Sequence, residues 1–182
     1  MNLKLKLLLY ASIFSNFSGQ LLGPIYALFV ADLGGSIVTV GLSWAVFKIV
    51  QSLLTIFFGK IEDIKHNKEK FMFYGFIILT ITNLLFIFIE TPLHLYLLQA
   101  LFGIGMAIVN PAWEALYSLT LDKGRESSEW SYWNASIGFS MGIAALIGGL
   151  IVNNYGFSVL FILMATFHLA SALVSYSLIK KK

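Results

Sequence analysis

Six long apolar stretches fill this chain, separated by short polar breaks. They cover residues 5–30, 36–58, 71–89, 93–118, 131–153 and 157–179. A helix crosses the ~30 Å hydrocarbon core of a bilayer with about 20 mostly apolar residues, so each stretch predicts one crossing. The expected fold class is an all-α membrane protein, a single six-helix transmembrane domain over residues 1–182. Only 12% of the residues are charged, where a soluble domain has about a quarter. No break is long enough to build an aqueous domain. The chain has no cysteine, which excludes disulfides, thiolate metal sites and cysteine nucleophiles. Its three histidines, His66, His94 and His168, are far apart, and no nucleophile elbow, phosphate loop or metal-ligand spacing occurs. Neither an enzyme nor a resident cofactor is expected.

The basic residues orient the stretches. Lys4 and Lys6 precede the first; Lys60, Lys65, Lys68 and Lys70 follow the second; Lys123 and Arg125 follow the fourth; Lys180, Lys181 and Lys182 end the chain. The opposite breaks, 31–35, 90–92 and 154–156, carry no Lys or Arg. With six crossings, 11 of the 12 basic residues fall on one side, and Lys/Arg-rich loops are cytoplasmic. Both termini are therefore expected in the cytoplasm, with the protein in the cytoplasmic (inner) membrane. An odd number of crossings would destroy this segregation. The alkaline isoelectric point, about 9.1, reflects these helix ends and implies no nucleic-acid partner. The first stretch reads as a retained span rather than a cleaved signal peptide: it is too long, and Asn16, Gln20 and Pro24 interrupt it.

Several local motifs point to a family. Pro24-Ile25-Tyr26-Ala27-Leu28-Phe29 is followed by Asp32-Leu33-Gly34-Gly35-Ser36, then by Val40-Gly41-Leu42. Gly59-Lys60-Ile61-Glu62-Asp63 leads into Lys65, Lys68 and Lys70. Further on come Leu97-Leu98-Gln99-Ala100-Leu101-Phe102-Gly103, Asp122 with Arg125, and Gly148-Gly149 before Tyr155-Gly156-Phe157 and Phe161. In these motifs the chain resembles the N-terminal half of a major facilitator superfamily transporter. The glycine, three residues, aspartate and basic cluster of 59–70 is the most specific piece. The chain departs from the family pattern in four places. Ile64 stands for the usual basic residue, His66 for the loop glycine, Gln99 for the arginine of drug–proton antiporters, and Ala144-Ala145 for their glycine-proline pair. These departures weaken the features tied to proton-coupled drug export.

The resemblance implies a secondary transporter. Such proteins pair two parallel six-helix halves around a midplane site and rock one half against the other. The chain begins with Met and ends in Lys-Lys-Lys, so it is expected to be complete at half size. The simplest completion is a parallel homodimer with closed two-fold symmetry, making a 12-helix transporter that works by alternating access. The resemblance also assigns conformational, gating roles to Gly59, Asp63, Lys68, Asp122 and Arg125, with the 59–70 loop acting as a latch.

Helical spacing supplies the candidate binding residues. Ser12, Asn16, Gly19, Gln20, Gly23 and Ala27 share one arc of the first stretch. Gly41, Trp44, Lys48, Gln51, Ser52, Thr55 and Gly59 share one of the second. The fourth stretch carries Gln99, Gly103, Met106, Asn110, Trp113, Glu114 and Tyr117, and the fifth Asn134, Gly138, Gly142, Ala145 and Gly149. The third and sixth lack such stripes, with Asn83 and His168 as their main polar interior residues, and are expected to support from outside. Lys48 is the sharpest signal, because a lysine at a helix centre costs ~2.5–3.5 kcal/mol on insertion scales and normally faces protein or water. It reads as a substrate-binding or gating cation, or as a structural partner of Glu114. Glu114 reads as a proton or cation coupler, a substrate acceptor or an inner-gate salt bridge. Asn16, Gln20, Gln51, Gln99 and Asn110 donate and accept at once, which suits hydroxyl- or amide-bearing solutes, although such amides also bond each other between membrane helices. Tyr26, Trp44 and Trp113 offer ring faces. Pro24 and Pro111 mark expected kinks. The expected cargo is a small polar organic solute, sugar-like ahead of drug-like, with or without a coupled proton or ion. The alternative from another class is a non-transporting scaffold or binding subunit.

Overall fold

The structure, a computed structural model, describes residues 3–180, so Lys181 and Lys182 lie outside the described residues. Every regular element among the described residues is helical. Helix α1 (Leu3–Leu22) passes through a 3₁₀ turn, Gly23–Ile25, into α2 (Tyr26–Asp32). Then come α3 (Ile37–Lys65), α4 (Lys68–Leu85), a second 3₁₀ turn at Phe86–Phe88, α5 (Pro92–Thr120) and α6 (Glu126–Ile179). Pro24 sits in the first turn of the 3₁₀ segment, so the expected kink of the first stretch is a real break. Pro111 lies inside α5 without ending it. Helices α3 and α5 outrun their apolar stretches, because hydrogen bonding continues into the polar margin until a cap stops it. At their starts, Ser36 accepts from the Thr39 N–H at 3.4 Å and Thr91 from the His94 N–H at 3.4 Å.

Among the described residues five runs, rather than the six expected, are long and apolar enough to cross a bilayer: Leu3–Asp32, Ile37–Lys65, Lys68–Phe88, Pro92–Thr120 and Glu126–Ile179. The difference lies in the last one. Its 54 residues would reach about 80 Å if straight, far beyond the ~30 Å core. At Gly156, however, φ is 78° and ψ 178°, a conformation essentially reserved for glycine. The arms on either side run along α1 in opposite senses. On the first arm, 126–155, Ser140 Oγ donates to the Ile13 carbonyl at 3.4 Å, and Gly148 abuts Leu21. On the second arm, 157–179, Ser171 Oγ donates to the Ala11 carbonyl and Ser18 Oγ to the Met164 carbonyl, each at 2.9 Å. Residue numbers rise together in the first case and oppositely in the second, so the chain reverses at Gly156. The first arm lies so close to α1 that a Cβ on Gly148 would run into the Leu21 carbonyl.

Two apolar clusters hold the helices together. One joins Leu5, Leu8, Ala11, Met72, Phe76, Leu79, Val109, Trp113, Tyr117 and Ala172; the other joins Leu21, Tyr26, Phe29, Phe86, Leu95, Leu160, Phe161 and Met164. Between them, on three helices at once, lies a buried polar layer of Ser18, Asn83 and His168. The Lys4–Glu69 ion pair, 3.1 Å, and the Phe73–Tyr176 ring contact, 5.6 Å, gather the starts of α1 and α4 and the end of α6 at one end of the bundle. Large apolar side chains stay exposed outside, among them Ile49, Leu53, Ile56, Phe139, Ile143, Leu146, Ile162 and Leu173. Such a surface suits lipid and would be a liability in water.

Candidate functional site

The breaks and close contacts above leave a cavity of about 680 Å³ along α1, α3, α4, α5 and both arms of α6. Of the ten expected substrate-binding residues, Asn16, Gln20, Tyr26, Trp44, Lys48, Gln99, Asn110, Trp113 and Glu114 line it. Gln51 does not; it is buried behind Lys48 and accepts from Lys48 Nζ at 3.1 Å. The chain does not close the cavity over, since Gly23, Trp44, Lys48, Glu114 and Ser118 line it yet remain exposed.

The lining side chains divide by what their polar ends already hold. Tyr26 Oη donates to Ser43 Oγ at 2.6 Å and accepts from Gln99 Nε2 at 2.7 Å. Trp113 Nε1 donates to the Leu8 carbonyl at 2.9 Å. Asn16 Nδ2 donates to the Ser12 carbonyl at 2.9 Å, on its own helix. Apart from the Asn16 bond, these contacts tie α1, α2, α3 and α5 together, the ordinary use of polar side chains between membrane helices. By contrast, Gln20, Asn110 and Glu114 make no intramolecular hydrogen bond among the described residues. Lys48 keeps two of its three protons after bonding Gln51. Its ammonium lies 4.7 Å from the Phe47 ring centroid and 5.9 Å from that of Trp44, within the range of cation–π attraction. No Lys48–Glu114 ion pair forms among the described residues, so that structural pairing is replaced by Gln51 and the rings.

Two of the expected arcs need correction. On α5, Gly103 faces the α3 backbone, and Tyr117 is fully buried with its hydroxyl donating to the Glu129 carbonyl at 2.7 Å. On the first arm of α6, Gly138, Gly142 and Gly149 face open space, and Trp130 and Trp133 line the cavity instead. Trp113, Trp130 and Trp133 form a ring cluster with centroids 5.3–6.3 Å apart, and Trp133 Nε1 donates to Ser12 Oγ at 2.9 Å. The helices expected to stand outside also contribute. Asn83 and His168 line the cavity, with Asn83 Nδ2 at 2.6 Å and Ser18 Oγ at 3.0 Å from His168 Nδ1. Asn83 Oδ1 is buried without a hydrogen-bond partner among the described residues. The signal for both was present in the sequence, as single amide and imidazole groups inside otherwise apolar stretches.

Of the gating candidates, Gly59, Asp63 and Lys68 meet at a second pocket of about 310 Å³, together with Glu62, Pro111, Glu114, Ala115 and Ser118. Lys68 Nζ donates to Asp63 Oδ1 at 2.7 Å. Asp63 is 80% exposed, so this pair contributes little to stability on its own. His66 caps α3 with φ 48°, a left-handed conformation that glycine accepts without strain. Asp122 and Arg125 form the turn into α6, with the Arg125 N–H donating to the Asp122 carbonyl at 3.0 Å. Glu129, unremarked in the sequence, clamps this turn by accepting from the Asp122 N–H at 2.9 Å.

Comparison with known proteins adds two kinds of likeness. The model of the Major Facilitator Superfamily matches residues 8–182. An uncharacterized MFS-type transporter of Methanocaldococcus jannaschii is 25% identical over 155 residues, covering 85% of this chain and 40% of that protein. The crystal structure of the POT family transporter PepTSo superposes with a TM-score of 0.75 at 14% identity, over 95% of this chain and 36% of that one. The chain thus spans well under half the length of either relative.

Proposed function

The chain belongs to the Major Facilitator Superfamily, and from that premise we propose that it forms one wall of a secondary transporter for a small polar organic solute. The observation that carries this reading is the incompletely enclosed cavity, lined by Gln20, Asn110 and Glu114, whose polar ends make no hydrogen bond among the described residues, and by Lys48, which keeps two protons after bonding Gln51. A volume near 680 Å³ suits a small-molecule ligand. Hydrogen-bonding ends beside the exposed ring of Trp44 favour a sugar-like solute. The three-tryptophan floor is what keeps export of flat drug-like compounds as the second reading.

In this reading the chain crosses the membrane six times, with the two arms of α6 as the last two crossings. The reversal at Gly156 supports that count. The end holding Lys4, Lys68, Lys70 and Lys180 faces the cytoplasm of the inner membrane, as the positive-inside tendency requires. A second copy, parallel and related by a two-fold axis, supplies the opposite wall. Alternating access then rocks the copies about the shared cavity, with the 59–70 loop and the Asp122–Arg125 turn as gates. Lys48 is the principal binding cation, Gln20 and Asn110 read solute hydroxyls, and Gln51 holds Lys48 in place.

Liposomes containing only this chain test the reading. Saturable uptake of a solute found by ligand-dependent thermal shift is the expected result. Binding with no uptake in either direction would point instead to a scaffold or binding subunit.

A further inference from the structure

Glu62 stands apart from the other buried acids. It is 1% exposed, and neither carboxylate oxygen has a hydrogen-bond partner among the described residues. Glu69 and Glu129 are nearly as buried, yet Glu69 takes Lys4 Nζ at 3.1 Å and Glu129 takes the Asp122 N–H at 2.9 Å. An ionised carboxylate removed from water without donors is costly. Glu62 is therefore the buried acid best suited to carry a proton or hold a cation.

The surroundings favour the proton. Glu62 lines the 310 Å³ pocket between α3 and α5, where the other ionisable groups are Asp63 of its own helix, Lys68 of α4 and Glu114 of α5. Lys68 Nζ is engaged by Asp63 Oδ1 at 2.7 Å. Lys60, Lys65 and His66, at the same helix end, are exposed. No three His, Asp or Glu side chains among the described residues are placed to hold a metal ion. Glu114 and Ser118 line both this pocket and the main cavity, so the two spaces meet at a second carboxylate.

We propose that Glu62 is a proton-binding site, neutral in this conformation, loaded through the side pocket and exchanging with the main cavity by way of Glu114. Loading moves a proton from a hydronium ion in the side pocket: one of its O–H bonds breaks, one forms on a Glu62 carboxylate oxygen, and a water molecule is left behind. Unloading is the reverse step: the Glu62 O–H bond breaks, the proton passes to water in the pocket or toward Glu114, and Lys68, which lines the same pocket, faces the carboxylate left behind. The coupling of that proton to solute rests on the transport reading; the site itself does not.

Infrared spectra of the full chain in lipid, in H₂O and D₂O at neutral pH, test the site without any solute. The expected result is a protonated-carboxyl band, shifted in D₂O, that is lost in Glu62→Gln and kept in Glu114→Gln. Should Glu62→Gln fail to fold, Glu62→Asp should move the band. A native protein with no such band overturns the proposal, as does a band that survives Glu62→Gln. A band that disappears when sodium replaces choline at constant pH overturns it too, because Glu62 would then be a cation ligand. Uptake without the band sinks only the proton site, and the band without uptake sinks only the transport reading.

Discussion

At the scale of single residues, polar groups divide between holding helices together and waiting for a ligand. Lys48 does both: one proton fixes Gln51, its rings are Phe47 and Trp44, and the rest of the ammonium lies open to the cavity. Hydrogen bonds to charged groups contribute about 1.5–3 kcal/mol. Lys48→Ala should therefore weaken solute binding roughly tenfold or more, read as a shifted half-saturation in a ligand-dependent thermal-shift titration. Unchanged binding and uptake would show that Lys48 is not the binding cation. His66 makes the opposite kind of prediction. Its φ of 48° carries a left-handed cost of about 1 kcal/mol for a residue with a Cβ. His66→Gly should raise the unfolding temperature if this strain outweighs the electrostatic attraction between the imidazole and Asp63, and a lower unfolding temperature would show that the attraction is the larger.

At the scale of helices, close approach and polar bridging decide the packing. The first arm of α6 touches α1 through Gly148, beside the Leu21 carbonyl. Gly148→Leu overpacks this contact, for which costs of about 1–3 kcal/mol are usual, and should lower the unfolding midpoint of detergent-solubilised protein. Gly142→Leu, which faces open space, should not alter the midpoint of an isolated chain, so equal losses at both positions would contradict the packing described. Along the second arm, His168 ties α4 to α1 by way of Asn83 and Ser18. His168→Leu strips those buried groups of a partner, at about 1–3 kcal/mol. A stability equal to the native protein's would mean that another group satisfies Asn83.

At the scale of the whole molecule, lining residues of the cavity stay exposed, and the proposed homodimer would cover them. Single cysteines replacing exposed Ser52 on α3 or Gly142 on α6 should give self-crosslinked dimers in membranes under mild oxidation. A cysteine replacing lipid-facing Leu173 should not. A strictly monomeric protein that still moves solute would remove the homodimer from the proposal.

Much of this was written in the sequence, and the reason is physical. The bilayer imposes one length and one polarity on every crossing, so the apolar stretches and their polar breaks are local properties that need no partner to be read. Helical spacing likewise put Asn16, Gln20, Lys48, Asn110 and Glu114 on arcs that meet at one cavity. Tertiary structure alone decided which polar ends were spent. Tyr26 and Gln99 satisfy each other across helices, Trp113 reaches the Leu8 carbonyl, and Gln51 retreats behind Lys48. It also brought Asn83 and His168 to the cavity from helices expected to stand outside, and left Glu62 buried with no donor. Periodicity names the face of a helix, but only the neighbouring helix determines whether a hydrogen bond there is already taken.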